Sequence, residues 1–231
     1  MKKYKLFSAL ATAALIFLSS CYDLDRYPAD QMSSGTFFKT QAHADQAMMA
    51  VYSTMQYDDV FGLQFAMDGM GGISMGYDPP SFQVFQRGIY DVKEGKVANK
   101  WKYLYEGIAR ANIVLQNVDN CEMSEELKAQ YKGEARFMRG LFYFTLMDFF
   151  GGVPVYDESF IVADNFNNMN QPRESADKVR EFVIADMDAA ITSLPLKWDD
   201  TNKGRATSGA AMAMKGKVLL FNKQYSDAAK C

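Results

Sequence analysis

Apolar residues return every three or four positions through most of the later chain, the period of helices that each bury one face. Trp101, Leu104, Tyr105, Ile108, Ala111, Leu115 and Val118 make the first clear stripe. Leu127, Tyr131, Ala135, Met138, Phe142, Leu146 and Phe149 make the second. Phe137, Leu141 and Phe144 lie off that stripe, so the later half of this helix is apolar nearly all round and reads as a core element. Ser124 offers its N-cap, Glu125 and Glu126 suit the first turn, and Gly151-Gly152 followed by Pro154 ends it. Val179, Phe182, Val183, Met187, Ala190, Ile191 and Leu194 form a third stripe between a cap at Ser175 and a stop at Pro195. Thr207 opens a fourth helix whose small residues, Gly209, Ala210, Ala211, Ala213 and Gly216, would let a partner helix come close. An earlier helix is expected from about Ala42 to Gln56.

The pattern breaks in two places. Between Tyr57 and Gly95 it gives way to Gly62, Gly69, Gly71, Gly72, Gly76, Pro79 and Pro80, interleaved with Phe and Tyr. A loop of that length inside a compact domain is usually functional or disordered, and its aromatic content argues against disorder. At the other end, the turn Asn222-Lys223-Gln224-Tyr225 leads into Ser226-Asp227-Ala228-Ala229-Lys230. This resembles a tetratricopeptide helix-turn-helix, without the usual Trp and Pro. The sequence stops about one turn into the second helix of that unit, so the chain reads as the front part of a longer protein.

The N-terminus carries its own signal. Lys2, Lys3 and Lys5 precede the uncharged stretch Leu6 to Leu18, too short for a bilayer span of roughly 20 residues but of signal-peptide size. Leu18-Ser19-Ser20-Cys21 follows, and it resembles the lipobox of bacterial lipoproteins, in which cleavage leaves an acylated cysteine at the new N-terminus. The expected organisation is a signal peptide over 1–20, a lipidated tether over 21–35 beginning at Cys21, and a helical region over 36–231. The resemblance implies three acyl chains, and more than one is needed for a durable anchor. Tyr22, Asp23, Leu24 and Asp25 resemble the surface-export signals of Bacteroidetes lipoproteins.

Charge and residue counts narrow the chemistry. Loss of the three leader lysines takes the formal charge from −3 to −6, unsuited to nucleic acid or anionic lipid, which need a basic face. Beyond Cys21 only Cys121 and Cys231 remain, so a disulfide framework is not expected. The single histidine, His43, reads as a surface residue, and no zinc-type Cys/His spacing exists. No catalytic set, metal site or cofactor is expected. The glycines of the long loop lack the Gly-Lys-Ser/Thr ending of a phosphate loop. Asp199-Asp200 reads as a solvated pair in a turn. Glu134, Arg136 and Arg139 stand on an otherwise apolar helix, where ionised groups must find partners. They read as internal pairing residues, and Asn112 on its own stripe as an internal hydrogen-bonding group.

Three stretches together resemble the SusD/RagB family of Bacteroidetes nutrient-binding lipoproteins: Trp101 to Asn112 (WKYLYEGIARAN), Gly133 to Phe144 (GEARFMRGLFYF) and Phe149 to Pro154 (FFGGVP). Ile184 to Ile191 with Leu194-Pro195, and Arg205-Ala206-Thr207, fit the same family. The resemblance implies an all-α, tetratricopeptide-like scaffold; the residues themselves, with no catalytic set, give no expectation of enzymatic activity. It further implies a lipid-anchored protein on the outer face of the outer membrane, partnered with a SusC-like TonB-dependent transporter. Its ligand would be an oligosaccharide, or a peptide. A lipid-anchored helical scaffold that binds only proteins is the alternative.

Sugar rings pack their C–H faces on aromatic rings while polar neighbours meet the hydroxyls. Tyr77, Phe82, Phe85 and Tyr90, with Gln83, Gln86 and Arg87 between them, supply both ingredients in the long loop. The expected ligand-contacting residues are Tyr77, Phe82, Phe85, Arg87 and Tyr90. The same aromatics could instead cement the loop to the helices.

Overall fold

The computed structural model describes residues 37–63, 71–73, 83–91, 93–162 and 164–231. The leader, Cys21 and the tether therefore lie outside the described residues, as do Tyr77 and Phe82. Helix α1 spans Gln41–Ser53, α2 is the single turn Gln83–Gln86, and α3 spans Gly95–Asn117. Helix α4 spans Glu125–Phe150, α5 Ala176–Ser193, α6 Ser208–Phe221 and α7 the turn Tyr225–Ala228. Among the described residues there are no strands, only an isolated bridge between Thr40 and Glu122.

Local chemistry sets the helix starts. The side-chain oxygens of Thr40, Ser124, Ser175 and Thr207 accept from the amides of His43, Leu127, Lys178 and Ala210, satisfying donors a helix cannot satisfy itself. The first helix begins one residue earlier than expected and tightens into a 3₁₀ turn over Thr54–Gln56. Gly151, at φ +71°, takes a backbone conformation that favours glycine just where α4 must stop. A side chain on Gly152 would collide with the Glu174 carbonyl, so the second glycine lets the chain return close by.

Each long helix packs on its neighbours as antiparallel hairpins. The end of α4 lies on the start of α3, where Trp101 and Phe150 meet edge to face at 5.1 Å. Near the start of α4, Gly133 lies against Ser193 and Leu194 at the end of α5. The bundle therefore has two ends. One gathers the 54–63 turn, the start of α3 and the end of α4; the other gathers the starts of α1 and α4 and the 198–207 turn. Helix α4 is central: Tyr131, Ala135, Met138, Phe142, Tyr143, Phe144 and Leu146 are all buried. Gly107 brings α3 close, since a Cβ there would sit 2.5 Å from the Phe142 ring.

The small residues of α6 divide between its packed and its outward face. Gly209 and Ala213 face outward, and Gly216 lies against the turn around Ala228 and Cys231. The outward face of this last hairpin carries Met212, Leu220, Phe221 and Tyr225. Ala211, by contrast, is fully buried where α6 packs on the bundle.

Candidate ligand-binding end of the bundle

The charged residues on α4 are occupied by the scaffold. Arg139 forks onto Asp186 at 2.8 and 2.7 Å, and also donates to Asn112 Oδ1 at 2.7 Å and Glu158 at 2.6 Å. Burial opposes its charge, but Asp186 and Glu158 more than compensate and raise its pKa above the ordinary guanidinium value. Arg136 joins Glu158 from outside at 3.0 Å. Tyr105, Asn112 and Gln116 on α3 donate to backbone carbonyls of the extended segment that follows Gly152, at Pro154, Tyr156 and Glu158 respectively. Glu134, wholly buried, accepts from Arg205 through both oxygens and from the Tyr52 hydroxyl at 2.7 Å. Arg205 also reaches Asp45 and lies over the Trp198 and Tyr131 rings at 5.2 and 5.0 Å. Glu134, Arg139 and Asp186 are thus paired inside the scaffold, whereas Arg136 and Glu158 stay about one-third exposed beside a cleft of about 380 Å³. Asp199, expected to be merely solvated, caps its own turn by accepting from Thr201 and Asn202.

The opposite end differs. After α1 the chain makes a π-type turn over Asp58–Gly62, and the first turns of α3 hold it. Asn99 Nδ2 donates to Asp59 Oδ2 at 2.9 Å, Lys96 pairs with Asp59 at 3.7 Å, and Lys100 Nζ donates to the Val60 carbonyl at 3.1 Å. Lys100 is only 6% exposed, and burial lowers its pKa to about 8 despite the nearby Asp59 carboxylate. Beside it opens a groove of about 220 Å³, lined by Phe61, Phe144, Phe149 and Met214, with Asp148 and Lys217 at the polar positions. Phe149 remains 43% exposed, with the Lys100 ammonium 4.5 Å from its ring centroid. Sequence reasoning missed this groove. The available signal was Lys100 itself, one turn before Leu104 on the apolar stripe of α3.

Of the residues expected to touch ligand, Phe85, Arg87 and Tyr90 are described. The structure brings Phe85 and Tyr90 together, ring centroids 4.9 Å apart and tilted 49°. Phe85 is half-buried, Tyr90 is 51% exposed, and Arg87 and Ile89 face solvent between them. Thus the pair presents aromatic surface to solvent, whereas Tyr57 and Phe61 at the root are the aromatics turned toward the helices. Among the described residues no group of His, Cys, Asp and Glu could hold a metal ion, and no helix is long and apolar enough to cross a membrane. Cys121 is buried and Cys231 exposed, both free.

Residues 24–220 match a family of SusD-like proteins described as starch-binding and associating with the outer membrane. Curated relatives include SusD-like protein P25 of Formosa agariphila, 26% identical over 91% of this chain and 42% of its own length. A SusD-like protein of Bacteroides ovatus is 29% identical over 94% of this chain and 39% of its own. The chain thus spans about two fifths of the length of these relatives. Among solved structures, a SusD-like protein of Bacteroides fragilis superposes with a TM-score of 0.74 at 25% identity, covering 89% of this chain and 39% of that one. A laminarin-binding SusD-like protein gives 0.70 at 25% identity, over 82% and 42%.

Proposed function

This chain belongs to the SusD-like family, and from that premise we propose that it binds oligosaccharides at the cell surface and delivers them to a TonB-dependent outer-membrane transporter. The observation that carries the reading is the Phe85–Tyr90 pair with Arg87, aromatic surface left open to solvent in a chain similar to a laminarin-binding protein. Half-exposed rings cost the fold apolar surface in water, and a pyranose face would cover them. Tyr77 and Phe82 belong to the same proposed site. Cys21 would carry the lipid after removal of residues 1–20, residues 21–35 would act as the tether, and 36–231 would form the helical ligand-bearing region.

Calorimetric titration of the full chain with laminarihexaose tests the binding step. Micromolar to millimolar affinity is expected, with Phe85→Ala and Tyr90→Ala each weakening it by about tenfold, on the order of 1.4 kcal/mol. Absence of binding to this and to other glucan oligosaccharides would overturn the reading in favour of a protein-only scaffold. Radiolabelled palmitate should enter the wild type and not Cys21→Ser. Affinity purification from the native membrane should recover a large barrel protein.

A further inference from the structure

We propose that Asp59, Asn99 and Lys100 form a clamp that positions the aromatic loop for its ligand by tying the loop's entry turn to the helix that follows its exit. This rests on the oligosaccharide-binding reading above, in which Phe85 and Tyr90 are the contacting rings.

The loop leaves α1 through the Asp58–Gly62 turn and returns through Asp91 to Glu94, whose side chain caps α3 by accepting from the Lys96 amide. Its exit is therefore covalently the start of α3. Its entry is tied to the same two helical turns by the Asn99–Asp59 and Lys100–Val60 bonds. The two ends of a long loop therefore meet at one neck. Holding the neck closed removes the closure cost from the binding step, so the ordering that a ligand must impose is smaller. Val60 is fully buried and seats the turn, and a side chain at Gly62 would collide with the Gln56 carbonyl.

The identity of residue 100 supports a role beyond folding. An apolar side chain there would continue the stripe of Leu104 and Ile108 without desolvating an ammonium. The charge is instead buried, facing Asp59 on the neck turn, Asp148 on α4 and Lys217 on α6, with Lys96 one turn away on its own helix. Its hydrogen bond goes to the neck turn. A buried group that costs the bundle stability while fastening a loop is the pattern expected of a positioning residue.

Hydrogen exchange and laminarihexaose titration on the full chain separate the two claims. In Lys100→Met, exchange in peptides covering 57–63 should rise by about tenfold or more while peptides of α4 stay protected. Affinity should fall by about tenfold, the melting temperature should hold or rise, and Lys100→Arg should restore both exchange and affinity. Unchanged exchange at 57–63 in both Lys100→Met and the Asn99→Ala/Lys100→Met double variant would overturn the clamp. So would raised exchange with unaltered affinity. If the wild type binds no oligosaccharide, the functional reading fails, and the exchange experiment still judges the neck.

Discussion

The two ends of this bundle solve the problem of buried charge in opposite ways. At the end built from the starts of α1 and α4, Arg205 lies between two carboxylates, with Trp198 and Tyr131 stacked on it and the Tyr52 hydroxyl completing Glu134. What space remains is a cavity of about 60 Å³. At the loop end, Lys100 is buried with one carbonyl bond, the groove beside it is several times larger, and Phe149 and Tyr90 keep much of their surface in water. A saturated network specifies where helices sit; an unsaturated, aromatic surface leaves energy to be gained on binding. Stability should concentrate at the first end and recognition at the second.

The most severe test removes a partner from the saturated end. Glu134→Ala would leave Arg205 largely buried and without its bidentate acceptor, and breaking such a pair costs about 3–5 kcal/mol. For a domain of this size the melting temperature should fall on the order of 10 °C. Oligosaccharide affinity measured well below the transition should be unchanged. A small loss of stability would mean that water already shares the Arg205 site, and the contrast between the ends would weaken.

Next in size is the pH response of the loop end. Lys100 has a folded pKa of about 8 against an ordinary value of 10.5, so between these limits the unfolded chain holds the extra proton. Its contribution to stability is therefore fully present above 10.5 and is lost as pH falls through about 8. The full difference is at most about 3 kcal/mol. Denaturant melts of the wild type minus those of Lys100→Met should show this rise between pH 8 and 10.5. A flat difference would show that the ammonium is solvated, and with it the neck.

Helix caps give a smaller effect that belongs to the saturated end. Thr207→Ala removes the acceptor for the Ala210 amide just beyond Arg205 and should cost about 1 kcal/mol, read from chemical denaturation. This cap, like those at Ser124 and Ser175, was legible in the sequence because capping is a local relation among three or four residues. The partners of Glu134 and Arg139 were not. Both residues were recognisable as pairing groups, but Arg205 is 71 positions from Glu134 and Asp186 is 47 from Arg139, distances bridged only by packing. The segment after Gly152 was invisible for another reason: side chains of α3 and α4 satisfy its backbone, so it carries no periodicity of its own. At the loop end, the stripe on α3 showed Lys100 out of place but could not say that Val60 was its acceptor. The aromatic residues of the loop were readable as a set. Whether they cement or bind depends on exposure, which sequence does not give.

The smallest expected change in stability is therefore the most informative about the loop end. Tyr90 stacks on Phe85 but is about half exposed, and Phe85 is itself only half-buried, so Tyr90→Ala removes little buried area. Its effect on unfolding free energy should stay within about 0.5 kcal/mol, as for surface substitutions away from caps and networks. The same substitution should weaken laminarihexaose binding by about tenfold, because a ring presented to solvent contributes when a ligand covers it. If Tyr90→Ala instead destabilises the chain by as much as Thr207→Ala, its ring is part of the packing. Recognition would then have to be sought in the groove around Phe61 and Phe149, where apolar surface of comparable exposure faces the Lys100 and Lys217 ammonium groups.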